Sequence, residues 1–353
     1  MPSSTLDPPR LRGADAPEGP LAIPSTPGRI ARLVLASAGV VVLLVLVRVL
    51  PGMVGTTWSD VGAMLASVSP LALAGLTVLW CGTLVAHAVV QTSALPGLTM
   101  RDAVVVNMSS SAISSAVPFG GPASLALTWT MLRSWGFDRH QFSAYTLVST
   151  VVSAVVRLLV PVVAALVLLA SGRLPAQADR IAVVAVVALV AVAAVVGVVA
   201  SPPLRRRLAN APHHHRLGRL ARDVDVAIGR SLTVIGRRWR GLLGGWVAQL
   251  ALQYLLLWAC FAAAGAQVGP LLCLVAFGAG RLMSVLPLTP GGLGVNEAGV
   301  GALLVALGAQ PGPTIAALLL FACYMVVLDV PLGALAMLAW RLRTARLVPV
   351  PAT

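Results

Sequence analysis

The sequence predicts an all-α, polytopic membrane helical bundle of about six full spans plus two re-entrant helical hairpins, arranged as an inverted repeat. Three observations predict it. Of 353 residues, 58% are hydrophobic and only 10% are charged, against roughly 25% charged in soluble domains, so lipid is the solvent for most of the chain. The Ala, Val and Leu runs are separated by Arg-rich or Pro/Gly-rich breaks and lack the alternation of an outer-membrane barrel. Helices, which satisfy their own backbone hydrogen bonds, are then the spanning solution that remains. Finally, a span–hairpin–span pattern occurs twice.

In chain order, residues 1–29 carry seven prolines, scattered charges and no apolar periodicity, which reads as a disordered cytoplasmic tail. The first apolar run starts near Leu33, too deep for an ordinary signal peptide and without a small-residue cleavage site. It is expected to be an uncleaved first helix. Apolar segments follow at about 33–50, 70–95, 142–170, 181–200, 242–265 and 314–340, each meeting or approaching the roughly 20 residues a spanning helix needs.

Two further apolar stretches, 103–132 and 271–308, are each interrupted by a Pro and a Gly pair. Each half of the first would reach only about 22 Å, against a hydrocarbon core of roughly 30 Å. Arg101 precedes this stretch and Arg133 and Arg139 follow it, which places both ends on one side. The result is a re-entrant hairpin with Pro118-Phe119-Gly120-Gly121-Pro122 at its tip. Backbone of this kind is tolerated only inside protein or lining a cavity.

The arginines then sort by side. Arg10, Arg12, Arg29, Arg32, Arg101, Arg133, Arg139, the ten from 205 to 240, and Arg341, Arg343 and Arg346 share the side of the N-terminus, and only Arg173 and Arg180 lie opposite. The positive-inside rule puts both termini in the cytoplasm. All 25 basic residues are Arg, which reads as a GC-rich bacterial coding bias and points to a multi-pass protein of a bacterial inner membrane. Aligning Gly136 with Gly308, an offset of 172, brings Pro118-Phe-Gly-Gly near Pro287-Leu-Thr-Pro-Gly-Gly and the long helices after the hairpins into register. The expected organisation is a tail 1–29, a transmembrane domain 30–341 with repeats at about 70–170 and 242–340 and an Arg-rich cytoplasmic segment 201–241, and a tail 342–353. In secondary transporters such inverted repeats supply two oppositely facing states around a site at their interface.

Ionisable residues in apolar segments cost about 2.5–3.5 kcal/mol at a helix centre, so each is a functional candidate. Arg157 and Asp329 are 172 apart, which places a cation and an anion at equivalent depths. They read either as a structural buried pair or as a pair contacting a head group. Arg281 and Glu297 flank the second break and would face each other in a hairpin; Glu297 also stands where a helix N-terminus favours a carboxylate. At the tips, prolines remove donors and glycines open the backbone, leaving half-helix ends free for a polar ligand. The candidate substrate-binding set is Pro118, Gly120, Gly121, Arg157, Arg281, Pro287, Pro290, Gly291, Gly292, Asn296, Glu297 and Asp329.

Other polar residues read more simply. Asn107 and Ser109, Ser110, Ser111, Ser114 and Ser115 would line the first hairpin, and Gln249, Gln253 and Tyr254 share one stripe, with packing as the default role. His87 reads as a satisfied core donor, and the four cysteines as small core residues. His213-His214-His215 do not share a helix face and no Cys or carboxylate joins them, so no metal site and no cofactor are expected. Segment 201–241 holds ten arginines against Asp223 and Asp225. Beside a bilayer it attracts anionic lipid head groups at about 1 kcal/mol per basic residue. Nucleic acid is disfavoured, because the segment has few aromatics and no recognised fold. No nucleophile elbow, P-loop, HExxH or dinucleotide motif is present, and a soluble stretch of about 40 residues is too short for an ordinary enzyme domain.

The run Leu286-Pro-Leu-Thr-Pro-Gly-Gly-Leu-Gly-Val-Asn-Glu297, followed by Gly308, resembles the signature of the lysylphosphatidylglycerol synthase transmembrane-region family. These are flippase-like integral membrane proteins that stand alone or precede an aminoacyl-transfer domain. The resemblance covers roughly residues 30–341. At the first hairpin Gly120-Gly121-Pro122 stands where the family often has a Gly-Glu pair, and Ser149 and Cys323 stand near the places of an Arg. The resemblance implies lipid translocation carried by Pro287, Pro290, Gly291, Gly292 and Glu297, without synthase activity. A membrane subunit assisting a lipid-linked glycosyl- or aminoacyl-transferase is the alternative, and such a lipid-modifying transferase would then be a partner.

Overall fold

The computed structural model describes residues 57–116, 120–170, 216–284 and 294–347, with isolated positions between 186 and 206. The expected spans at 33–50 and 181–200, the N-terminal tail and His213–His215 lie wholly or mostly outside the described residues; of the expected C-terminal tail 342–353, residues 342–347 instead continue the last helix. Within them every regular element is a helix: α1 (Trp58–Ala66), α2 (Pro70–Ala94), α3 (Met100–Ala116), α4 (Gly121–Ser134), α5 (Arg139–Ala170), α6 (Arg216–Ala263), α7 (Pro270–Met283), α8 (Val295–Ala306), α9 (Pro311–Ala322), a π-helical turn (Cys323–Val327) and α10 (Asp329–Leu347).

Local sequence sets the boundaries. The Thr57 side chain accepts from the Asp60 N–H while Asp60 accepts from the Thr57 N–H, a capping box that starts α1. Ser69 caps α2 ahead of Pro70, and Pro270 and Pro311 open α7 and α9, where a missing N–H costs nothing. Asp138 and Gln141 exchange backbone-to-side-chain hydrogen bonds of 2.9 and 2.7 Å at the start of α5. The hairpins end alike. Gly136 and Gly308 have φ of 87° and 94°, the left-handed region that glycine enters freely. Around them Phe137 N–H donates to Leu132 C=O and Ala309 N–H to Leu304 C=O, at 3.1 and 2.9 Å, the closing bond of a Schellman turn. Both pairs obey the offset of 172.

Among the described residues four helices are long and apolar enough to cross a membrane: Pro70–Ala94, Arg139–Val167, Val226–Ala263 and the run Pro311–Thr344. The helix expected at 314–340 is present as one span, with a π-helical turn at Cys323–Val327 inside it. The hairpin arms α3, α4, α7 and α8 have 17, 14, 14 and 12 residues, about 18–26 Å at 1.5 Å per residue, too short to cross alone. Each pair of arms packs on itself, α3 on α4 and α7 on α8.

The packing has an exchanged symmetry. The two leading spans, α2 and α6, pack along each other; α10, which ends the second repeat, lies along α3 of the first, and α5, which ends the first, lies along α7 of the second. Lipid tails are as apolar as leucine, so close backbone approach and dispersion must hold such contacts. Small residues supply it. A Cβ on Gly245 would stand 2.8 Å from Val90 Cγ2, and one on Gly241 would collide with Ser93 Oγ, so these two glycines, four apart, form the α6 surface that receives α2. Arg238, at φ −122° and ψ 20°, kinks α6 between its Arg-rich turns and its apolar turns. The core divides similarly: Met131, Leu132, Val106 and Val148 centre one cluster on α2–α5, and Phe261, Leu256, Leu304 and Ile315 centre the other on α6–α9. Outward-facing Leu71 and Val78 are 83% and 72% exposed, as lipid-facing side chains require.

Candidate functional site

Between the exchanged pairs lies a cavity of about 270 Å³ whose wall draws polar groups from both repeats. α2 contributes Trp80 and Thr83, α3 Asn107 and Ser111, α6 Gln249 and Gln253, α7 Phe277, Arg281 and Ser284, α8 Asn296 and Glu297, the π-helical turn Met325, and α10 Asp329. Four members of the predicted set, Arg281, Asn296, Glu297 and Asp329, thus meet at one place.

Each is held by a different device. The Arg281 guanidinium donates to Gln253 Oε1 and lies 4.6 Å from the centroid of the Phe277 ring, a cation–π contact that steadies a charge inside an apolar bundle. Gln253 also reaches Met325 Sδ through Nε2 at 3.8 Å, so one amide links the α7 hairpin to the π-helical turn. Glu297 is only 5% exposed, and its Oε2 accepts from the Gly294 N–H at 2.5 Å. It therefore closes the first turn of α8, where the helix dipole favours a carboxylate. Both Arg281 and Glu297 line the cavity, but the contact seen for this carboxylate is with its own helix end.

Asp329 Oδ2 accepts from the Ser111 hydroxyl at 2.6 Å, a bond from the second repeat to the first. The π-helical turn aims it. Leu328 N–H reaches back to Cys323 C=O at 2.9 Å, and one extra residue in a turn rotates everything after it by about 100°. The turn itself is fastened by Tyr324, whose hydroxyl meets Thr77 Oγ1 and Leu73 C=O, each at 3.0 Å. Asn296 differs from the others: its side-chain oxygen is buried with no hydrogen-bond partner among the described residues. It packs over Gly280, where a Cβ would stand 3.3 Å from that oxygen.

Gly120 is buried and Gly121 exposed at the start of α4, and neither lines this cavity. Pro118, Pro287, Pro290, Gly291 and Gly292 lie outside the described residues, as does the Arg157 side chain. Ser111, Gln249 and Gln253, expected as packing residues, prove to be wall residues. His87 is a satisfied core group, its Nδ1 2.9 Å from Gln249 Oε1 and its ring edge-on to Trp246. All four cysteines are free, and no three metal-binding side chains gather among the described residues. Trp80, Phe277 and Met325 were not singled out, because an aromatic or Met in an apolar run carries no signal separating cavity from lipid.

A helical bundle with an apolar rim and an internal polar, charged cavity defines an integral membrane protein built around a buried site. The lysylphosphatidylglycerol synthase TM region family matches residues 30–333, and the chain belongs to that family. No curated protein matches the chain.

Proposed function

We propose that this protein is a lipid translocase, a flippase or scramblase for a phospholipid or polyprenyl-linked lipid. Its cavity holds the head group between the two hairpins while the hydrocarbon chains stay in the bilayer. The observation that carries this reading is the collection of charged and amide side chains from both repeats inside a bundle whose outer surface is apolar. Polar groups are costly at such depth and mark a transported or bound polar species. Arg281 supplies a phosphate-binding guanidinium, and Asn107, Gln253 and Asn296 supply neutral hydrogen-bonding groups. The protein makes and breaks no covalent bond. In this reading it sits in a bacterial inner membrane with both termini cytoplasmic, and the Arg-rich segment 201–241 rests on anionic head groups.

Purified protein in liposomes is expected to accelerate loss of leaflet asymmetry for at least one anionic, zwitterionic or polyprenyl-lipid probe, and Glu297→Ala is expected to slow it while the protein stays folded. If every probe moves no faster than in empty liposomes, with and without an ion gradient, the translocase reading fails. The chain would then be an accessory membrane subunit of a lipid-modifying transferase.

A further inference from the structure

Two carboxylates line the cavity, and their surroundings suit them to different tasks. Glu297 is committed to the N-terminus of α8 through the Gly294 N–H, a donor-only group that serves an ionised acceptor. Asp329 is bonded to a hydroxyl. A serine hydroxyl donates to a carboxylate and accepts from a carboxylic acid, so the Ser111–Asp329 contact satisfies Asp329 in either protonation state. A second observation points the same way. Asp329 follows the π-helical turn Cys323–Val327, an irregularity that often accompanies functional sites in helices, and Pro331, in the first turn of α10, removes a backbone donor two residues later. The carboxylate thus stands on backbone that is less fully hydrogen-bonded than a regular helix.

From these contacts we infer that Asp329 is a proton carrier, binding a proton when the cavity opens to one side of the membrane and releasing it to the other, so that lipid movement is coupled to proton movement. The inference rests on the translocase reading and supplies its energy source. An ionised carboxylate is expensive in a cavity closed to water, and a proton removes the charge for the transit. Water on one side gives the proton and water on the other takes it. Nothing is oxidised or reduced.

The charged groups that share the cavity with Asp329 are Arg281 on α7 and Glu297 on α8. On α3, packed against α10, Arg101 and Asp102 lie in the first turn, about 15 Å along the helix from Ser111 at 1.5 Å per residue. The π-helical turn brings Cys323 and Tyr324, the latter tied to Thr77. On α2, His87 is bonded to Gln249, and Arg157 on α5 lies outside the described side chains.

The experiment uses full-length protein in sealed liposomes with a fluorescent phospholipid probe, an internal pH dye and the membrane potential clamped. At one proton per lipid, a pH difference of one unit is expected to drive about tenfold enrichment of the probe in one leaflet, since one pH unit is a factor of ten in proton activity. A probe gradient imposed without a pH difference is expected to change internal pH. Asp329→Asn, which keeps the bond to Ser111 but cannot carry a proton, is expected to abolish the enrichment, and Asp329→Glu to retain it. Wild-type protein that moves the probe while its leaflet ratio ignores the pH difference would overturn proton coupling and leave the translocase reading standing. Wild-type protein that moves no probe overturns both. Folded Asp329→Asn protein with undiminished enrichment would take the carrier role away from this residue. The two wild-type measurements decide proton coupling even if the variant does not fold.

Discussion

Replacing Gly333 with alanine adds one methyl group where α10 lies against α3, and the surroundings leave no room for it. The new Cβ would collide with the Met108 carbonyl oxygen, stand 2.5 Å from Ala112 Cβ and lie 2.9 Å from the Met108 carbonyl carbon. Two of these three atoms are α3 backbone, so no side-chain rotation relieves the contact and the helices must separate. Overpacking of this kind costs about 1–3 kcal/mol, and the backbone contact argues for the upper end. Separation also stretches the Ser111–Asp329 bond, made by the same two helices. The assay is thermal unfolding of purified protein in detergent, compared with Gly75→Ala and Gly244→Ala, where the new Cβ has no atom of the described residues within 4 Å apart from its own turn of helix backbone. Those controls gain helix propensity of up to about 1 kcal/mol and are expected to be neutral or slightly stabilising. Gly333→Ala is expected to melt lower by on the order of 5 °C. If it melts with the controls, α3 and α10 do not approach as closely as described, and the exchanged packing is wrong.

Two further predictions concern the cavity and the orientation. A double-mutant cycle of Arg281→Met and Gln253→Leu is expected to show a coupling of about 1 kcal/mol or more in unfolding stability; additive losses would mean the two side chains do not interact. Single cysteines replacing Arg101, Arg133 and Arg222 are expected to react with an impermeant maleimide only from the cytoplasmic side, and one replacing Asp60 only from the outside. Labelling of positions 101 and 133 from opposite sides would rule out the first hairpin.

Length, hydropathy and punctuation made much of the architecture legible. Uninterrupted apolar runs mark α2, α5 and the apolar part of α6, because only a helix of that length satisfies its backbone in lipid. The breaks at 118–122 and 287–292 mark hairpins, because the remaining arms are too short to cross. Gly136 and Gly308, aligned in sequence by the offset of 172, close α4 and α8 in the left-handed region. The cost of charge at depth selected Arg281, Glu297 and Asp329, since ionisable groups have few tolerable positions in lipid. The π-helical turn was not legible: Cys-Tyr-Met-Val-Val reads as ordinary apolar helix, and its register is set by tertiary contacts such as Tyr324 on Thr77 and Leu73.

What the sequence by itself determined, then, is which segments are helices of which length, where they break, and which few side chains are too polar for lipid. Only the tertiary structure decided the partners: Asp329 with Ser111, Arg281 with Gln253, Glu297 with its own helix end, and Gly241 and Gly245 against α2. The reason is the solvent. In water, a helix declares its buried face by the period of its apolar residues, but in a bilayer both faces are apolar, and small differences in packing choose which one meets protein.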